Sequence, residues 1–341
     1  MGARAIALLV AVAVAGTAAH AATSASYGGS ALSAEAVNAE PTAGALARNE
    51  PAAVLRAQVL LDRAHFSSGV LNGQNSDNLE TAVTFFQQTN GLAPTGQLDS
   101  LTYAALARLT GAIDGVVRVT LTDADVRGPY LWIPADVYEQ AQLPCECYAS
   151  ALEMLDERFH TITAVLLSLN PGVSFRHLQA GEQLWVPNVE PFDAAHPRFA
   201  PPAKPVALIE VHKRERYVQA LATDGSIVFH FPTTVGSEYD PSPSGIYRVE
   251  SVLWDPAFHY DPSLYSDVPD SRPRATLAPG PNSPVGMVWI ATTKAHVGIH
   301  GTPLPFQIGL NNSHGCIRLT NWDAARLAAA VRPGVPIKFV K

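Results

Sequence analysis

The stretch that decides both fold and chemistry reads IHGTPLPFQIGLNNSHGCIRL, residues 299–319. Cys316 follows His314 by two positions, and a second histidine, His300, lies sixteen positions upstream of the cysteine. Cysteine attacks as its thiolate, and an ordinary thiol pKa of about 8.5 leaves little thiolate at neutral pH. A neighbouring histidine takes the proton or stabilises the anion. His314 shares a face with Cys316 if the chain between them is extended. His300 ends a strand, and the intervening GTPLPFQIGLNNS is long enough to fold back and bring Cys316 alongside it. The amides of Gly315 and Cys316 are candidate donors to an oxyanion, and Arg318 offers a fork for a carboxylate. Two other readings compete. A lone cysteine is often simply buried, with the histidines incidental. Zinc is the second, since His296, His300, His314 and Cys316 carry suitable atoms, although their spacing is unlike the usual zinc patterns. Ser-His-Gly-Cys together with a strand-ending His-Gly favours a thiol acyl-transfer enzyme.

Outward from this stretch the pattern is β. VALIEVH (206–212), RYVQALATDGSIVFHFPTTVG (216–236) and GIYRVESVLW (245–254) alternate at period two, with Asp224-Gly225 as a hairpin turn. GMVWIATTKAHVGIH (286–300) is a further strand pair and VPIKFVK (335–341) a closing strand. TNWDAARLAAAVRPG (320–334) is a single late helix, capped by Thr320 or Asn321 and followed by Gly334. Residues 206–341 are therefore expected to form one mostly-β domain, a sandwich or flattened barrel. The segment 253–285, rich in Pro, Asp and aromatics, is too long for a simple connection and suits a functional loop over the site. Six prolines between Pro187 and Pro205 mark a semi-rigid linker, taken as 190–205.

The bulk composition agrees with a multidomain exported protein. A chain of 341 residues predicts two or three domains. The formal charge of −7 excludes the basic face that a nucleic-acid binder needs. Arg4, the apolar run AIALLVAVAVAG (5–16) and Ala19-His20-Ala21 read as an export signal over 1–21. The run is shorter than the roughly 18–20 residues that span a bilayer, and no later segment reads as transmembrane. Export implies an oxidising compartment. Of the three cysteines, Cys145 and Cys147 stand one residue apart, so a bridge between them is expected to be strained. Cys316 is the thiol in the histidine-rich surround.

Residues 22–50 are Ala/Ser/Glu-rich and read as a flexible tether. Residues 51–112 read as a three-helix module: Leu79, Ala82, Val83 and Phe86 fall on one face, Gly91 ends that helix, and Asp99 or Ser100 caps the next. Residues 113–149 read as a connecting segment with a strand in GVVRVTLTDADV. Residues 150–189 read as two short helices, a turn at Asn170-Pro171-Gly172 and a strand near 183–186. His160 and His177 there read as surface or satisfied core residues.

Three resemblances follow from these strings. VLLDRAHFSSGVLNG with LETAVTFFQQTNGLAPTGQLDSLTYAAL is similar to the three-helix peptidoglycan-binding module. LNPG and AGEQLWVPN resemble a degenerate LysM module, a small α+β sugar-backbone binder. His300-Gly301-Thr302 followed by Ser313-His314-Gly315-Cys316-Ile317-Arg318-Leu319 resembles the catalytic signature of the L,D-transpeptidases, the YkuD-domain family, and DPSPSGIYRV (240–249) and LAPGPNSPVGMVWI (277–290) agree with it.

The last resemblance implies a YkuD-like catalytic domain over 206–341, with Cys316 as nucleophile, His300 as general base held in its tautomer by a backbone carbonyl, and His314 beside the sulfur. It leaves open which histidine is the base. Ser313, Gly315, Gly301 and Arg318 shape the oxyanion and substrate site. The implied reaction releases D-alanine from a tetrapeptide stem to give a thioester, then transfers the acyl group to an amine of a second stem, to water, or to a lysine of a wall-anchored protein. Carbapenem sensitivity is implied as well. No metal or organic cofactor is implied; the partner is peptidoglycan and the place the periplasm or cell wall. The rivals are a non-catalytic murein-binding protein, an L,D-carboxypeptidase and a secreted cysteine peptidase.

Overall fold

The computed structural model describes residues 32–264, 268–269 and 271–341. The export-signal reading of 1–21 lies outside the described residues. The chain runs α1 (Ala34–Asn38), α2 (Ala43–Ala47), α3 (Pro51–Arg63), α4 (Asp77–Thr89), α5 (Ser100–Thr110), β1 (Val116–Thr120), α6 (Asp123–Arg127), α7 (Val137–Gln140), α8 (Ala151–Arg158), α9 (Thr163–Leu169) and β2 (Gln183–Pro187). It continues as β3 (Val206–His212), β4 (Tyr217–Ala222), β5 (Ile227–Pro232), β6 (Gly245–Trp254), β7 (Phe258–Tyr260), β8 (Ala275–Leu277), β9 (Val288–Thr292), β10 (Gly298–His300), β11 (Ile317–Arg318), α10 (Asn321–Ala330) and β12 (Pro336–Val340).

Helix α4 shows why the N-terminal helical unit forms. Ser76 caps it, its hydroxyl accepting from Leu79 N at 3.2 Å. The predicted stripe Leu79, Ala82, Val83 and Phe86 is wholly buried against α3 and α5. Each of its larger side chains contributes about 1.5–3 kcal/mol by leaving water. Asp99 caps α5 through a 2.7 Å bond from Thr102 N.

Eight strands of the C-terminal region form one curled sheet in the order β11-β10-β9-β6-β12-β3-β4-β5, and α10 is the late helix. Its core joins Ile209, Val218, Phe231, Ile290, Ile299 and Ile337 from the strands to Trp322 and Leu327 of α10. The short parallel pairing of β10 with β11 lies at one end of the sheet order. That is where the decisive stretch sits.

Two expectations need correction. Residues 33–47 are not a loose tether. Ser33 and Thr42 cap α1 and α2, Leu32, Val37 and Leu46 are buried, and Asn38 exchanges two 2.9 Å bonds with the backbone of Val116. Alanine-rich turns this short carry too few large apolar residues to show a period. The proline-rich 190–205 stretch is not a free spacer either: Phe192 is buried in the sheet core, and Arg326 lies over the Phe199 ring at 4.9 Å. Cys145 and Cys147, whose pairing the sequence leaves open, are bonded to each other. The loop between them is held by Glu146, whose backbone N donates to Pro279 O and whose O accepts from Asn282 N, both at 2.9 Å.

Strand β1, read as part of a connecting segment, pairs antiparallel with β2 across the whole of α6–α9. The helical unit, the β1–β2 unit and the sheet meet in one buried ionic cluster. Asp62 of α3 accepts from both terminal nitrogens of Arg326 of α10 at 2.9 and 3.1 Å and lies 3.0 Å from Nδ1 of His160. His160 stacks on Trp322 at 4.7 Å. Asp323 of α10 accepts from the Ser67 hydroxyl at 2.8 Å. His160 is thus a core residue, and His177 an exposed one.

Candidate active site

β10 runs parallel to β11 with Ile299 opposite Ile317 and His300 opposite Arg318. In a parallel pair, residues two apart point to the same face. Cys316, just before β11, and Arg318 therefore share a face with Gly298 and His300 of β10. All but Gly298 line one cleft of about 530 Å³, together with His296, His314 and Gly315. The fold thus brings Cys316, His300, His314, Gly315 and Arg318 together. Ser313 and Gly301 are not among the cleft-lining residues; Ser313 acts through its hydroxyl and Gly301 through its carbonyl.

His300 is buried. Its Nδ1 is 2.7 Å from the Gly301 carbonyl, which only accepts, so Nδ1 carries the proton and Nε2 is left with its lone pair. Burial, reinforced by the positive charge of Arg318, pushes its pKa down to about 3. The imidazole is neutral at pH 7 and able to take a proton. Its ring stacks on Trp289 at 5.3 Å. Gly298 makes room for that indole, since a Cβ there would lie 2.5 Å from the ring.

Cys316 is the free cysteine. Its Sγ lies 3.7 Å from the carbonyl oxygen of His296, a residue whose backbone is turned to a φ of 61°. Burial pushes the thiol pKa up, while a Gly298 backbone bond and the Arg318 charge pull it back in part. The resting pair is therefore thiol and neutral imidazole, and proton transfer accompanies attack. Because Cys145 and Cys147 are bonded to each other, iodoacetamide is expected to alkylate Cys316 alone. The rate should climb about tenfold per pH unit and still be rising at pH 9, followed by intact mass. A plateau below pH 8 would contradict the raised thiol pKa.

The loop carrying the cysteine is held from several sides. The Ser313 hydroxyl donates to Cys316 O at 2.6 Å and accepts from Gly315 N at 3.2 Å. The Gly315 amide, read as a candidate oxyanion donor, bonds the Ser313 hydroxyl inside the turn. Gly315 has a φ of 107°, a region that disfavours side chains. Ser242 donates to Gly315 O at 2.9 Å and accepts from Gly236 N at 2.8 Å. Arg216 bonds the carbonyls of Gly309 and Asn311, and Asn78 of α4 donates to Ile308 O at 3.0 Å. The stretch between His300 and Cys316 is thus fastened to both the sheet and the helical unit.

The cleft is also lined by Leu253, Phe258, His259 and Leu264, with Trp289 and Val285. Phe258 and His259 lie on β7, which pairs with β8, so described residues of the 253–285 excursion line the cleft. Part of that reading (265–267 and 270) lies outside the described residues. Among the described residues no group of three or more His, Cys, Asp and Glu side chains is arranged to hold a metal ion.

Sequence reasoning missed several contributors. The His296 carbonyl and the Gly298 backbone act through main-chain atoms, which residue type does not reveal. Ser242 stands in the quoted DPSPSG string but carried no separate signal. Asn321, the first residue of α10, read only as a possible cap. It is fully buried, with Oδ1 accepting from Met287 N and Nδ2 donating to Pro281 O, both at 3.1 Å.

Comparison with known proteins adds the following. Residues 207–338 match the YkuD family, described as the L,D-transpeptidase catalytic domain. Residues 50–106 match a family described as "Putative peptidoglycan binding domain". The chain is 27% identical over 188 residues to the "Putative L,D-transpeptidase YkuD" of Bacillus licheniformis, covering 55% of this chain and 92% of that protein. It is 38% identical over 66 residues to the "Probable L,D-transpeptidase YbiS" of Escherichia coli, covering 19% of this chain and 21% of that protein. Among solved structures, L,D-transpeptidase 3 from Mycobacterium tuberculosis aligns at 19% identity with a TM-score of 0.34, over 48% of this chain and 77% of that one.

Proposed function

We propose, from the match of residues 207–338 to the YkuD family of L,D-transpeptidase catalytic domains, that the protein is a peptidoglycan L,D-transpeptidase working through a thioester on Cys316. The observation that carries this reading is the neutral His300, its Nδ1 bonded to Gly301 O, lining one cleft with the free thiol.

His300 Nε2 takes the thiol proton as Sγ attacks the carbonyl carbon of the third residue of a tetrapeptide stem. The carbonyl becomes an oxyanion, for which the Cys316 amide is the assigned donor. The C–N bond to D-alanine breaks, and His300 returns its proton to the leaving amine. A thioester remains. The side-chain amine of a second stem then attacks it, giving a 3→3 crosslink and restoring the thiol. Arg318, opposite His300, keeps the imidazole neutral by its charge and stands where a substrate carboxylate is reached. His314, exposed at the rim, contacts substrate and is not the base. The 50–106 helical unit, which matches a peptidoglycan-binding family, keeps the enzyme on its polymer. The succession of α8, α9 and β2 supports the LysM-like reading of 150–189. Action in the periplasm or cell wall follows from such a substrate. Among the described residues no helix is long and apolar enough to cross a membrane.

The test uses disaccharide-tetrapeptide with the wild-type chain and with Cys316→Ala, products being weighed by mass spectrometry. A dimer formed with loss of one D-alanine, absent with Cys316→Ala, is expected. Tripeptide alone would instead make the enzyme an L,D-carboxypeptidase. No Cys316-dependent product, with binding to murein intact, would make it a binding protein.

A further inference from the structure

The 137–147 connection runs against the segment that leads into the cleft wall. The Tyr138 hydroxyl of α7 donates to Pro273 O at 2.9 Å, and its ring meets that of Tyr260 edge to face at 6.2 Å. Farther along, the Cys145–Cys147 bridge closes Glu146 into a small ring. Both backbone groups of Glu146 are committed across the seam. Its N–H donates to Pro279 O and its carbonyl accepts from Asn282 N, each at 2.9 Å. Asn282 Nδ2 adds a 2.9 Å bond to Cys147 O. The fit is close: Gly280 has a φ of 147°, and a Cβ there would lie 2.3 Å from Glu146 O.

What these contacts hold leads on to the reacting groups. Pro284 and Val285 line the cleft with Cys316 and His300, and Trp289 of β9 stacks on the His300 ring. The same segment is fastened to α10 as well. The Asn321 amide donates to Pro281 O and accepts from Met287 N. A Cβ added to Gly286 or to Gly301 would lie 1.9 or 2.0 Å from Asn321 Oδ1. Segment 279–287 is thus tied both to the disulfide loop and to the catalytic helix. The bridge can be reached. Cys145 and Cys147 are each part-exposed, and Cys147 lines a cavity of about 280 Å³ together with Tyr130, Arg158 and Pro281. Accessible disulfides are the labile ones.

We propose that the Cys145–Cys147 bridge is a redox-sensitive clamp on the active-site wall: closed, it presents the Glu146 backbone to 279–282, and opened by a dithiol it releases that segment and loosens the cleft. In the opening step one sulfur of the dithiol attacks the bridge to give a mixed disulfide, which its second sulfur resolves. The dithiol ends as a disulfide and Cys145 and Cys147 as two thiols, two electrons and two protons having passed to them. Glu146 then regains the backbone freedom that the ring removed, and the three bonds across the seam have to be made against it. Cys316 is already a free thiol, so the same reductant leaves the nucleophile as it was. The kinetic consequence rests on the transpeptidase reading, the structural one does not.

The experiment follows amide hydrogen exchange by mass spectrometry in the full-length chain carrying Cys316→Ala, where Cys145 and Cys147 are the cysteines left to respond. Tris(2-carboxyethyl)phosphine opens the bridge, ending as its oxide, and having no thiol it attacks no thioester. Peptides covering 279–287 are expected to exchange at least about tenfold faster after reduction, while those of β3 and β4 keep their rates. Reoxidation should restore the slow exchange. In the wild-type chain, reduction should lower kcat for the donor by at least about threefold. Cys145→Ser with Cys147→Ser should start at that lower value and not respond to the phosphine; the reduced wild type carries the test if this variant does not fold. Unchanged exchange at 279–287 in a chain whose bridge is open by mass overturns the proposal. So does a rise shared equally by β3 and β4, which would make the bridge a general staple, or a turnover that reduction leaves alone. Faster local exchange in a chain whose wild type turns over no stem peptide would uphold the clamp and sink the transpeptidase reading alone.

Discussion

Replacing His300 with alanine is expected to lower the rate of acyl transfer by about 10²–10⁴-fold, the usual contribution of a positioned general base, with little change in KM. The resting thiol is protonated because burial raises its pKa, so attack needs an acceptor for that proton. His300 fills the requirement at neutral pH because its own pKa lies near 3 and its Nδ1 proton is committed to Gly301 O. His314 is exposed and its replacement by alanine should cost less than about tenfold, since it contributes contact and not the proton transfer. Measuring kcat and KM for both variants on the same donor decides between the two histidines. The reverse ranking, with His314→Ala the crippled enzyme, would move the base to the rim of the cleft.

Asp62→Asn is expected to destabilise the folded chain by about 3–5 kcal/mol, the cost of leaving a buried cation without its partner, as read from denaturant unfolding. Asp62 is 1% exposed and Arg326 3%, so water does not replace the lost bonds. Arg326 keeps the Phe199 ring at 4.9 Å and Asp323 at 4.0 Å, a carboxyl that burial pushes up to about 7. The Asp62 pKa is held far below the ordinary carboxylate range by Arg326 and His160, which outweigh the opposing effect of burial. A depressed carboxylate stabilises fully above its unfolded pKa of about 3.9 and loses that contribution as pH falls toward its folded value. The penalty for Asp62→Asn should therefore be constant from pH 7 down to about pH 4 and shrink below it. Pairing Asp62→Leu with Arg326→Met should cost less than the sum of the single changes. Since these side chains come from three separate units of the chain, the expected readout is loss of their joint unfolding.

The catalytic stretch was legible because its chemistry is written in residue types close in sequence. His300-Gly301 and Ser313-His314-Gly315-Cys316 announce a thiol and its base, and one turn of chain joins them. Helix α4 was legible from Leu79, Val83 and Phe86, since amphipathic spacing is a local property. What escaped notice depends on the fold. The partner of β1 is β2, with four helices between them. Phe192, inside a run of prolines, is buried by a sheet that begins only at Val206. The brevity of α1 and α2 hid them. The Cys145–Cys147 bridge forms within a loop whose backbone is held by residues 279–282, far along the chain. The supports of the site, the carbonyls of His296 and Gly301 and the Asn321 amide, are set by backbone geometry and by the absence of a Cβ at Gly286 and Gly301. A residue string encodes these only after it is folded.

The measurement that bears most directly on the account is capture of the acyl-enzyme. The full-length chain, mixed briefly with disaccharide-tetrapeptide and quenched in acid, is digested and mapped by mass spectrometry. The expected product is the disaccharide-tripeptide acyl group on the peptide containing Cys316, labile to hydroxylamine as a thioester is and absent from Cys316→Ala. Turnover of the donor with no adduct on Cys316, or an adduct that survives in Cys316→Ala, would contradict it.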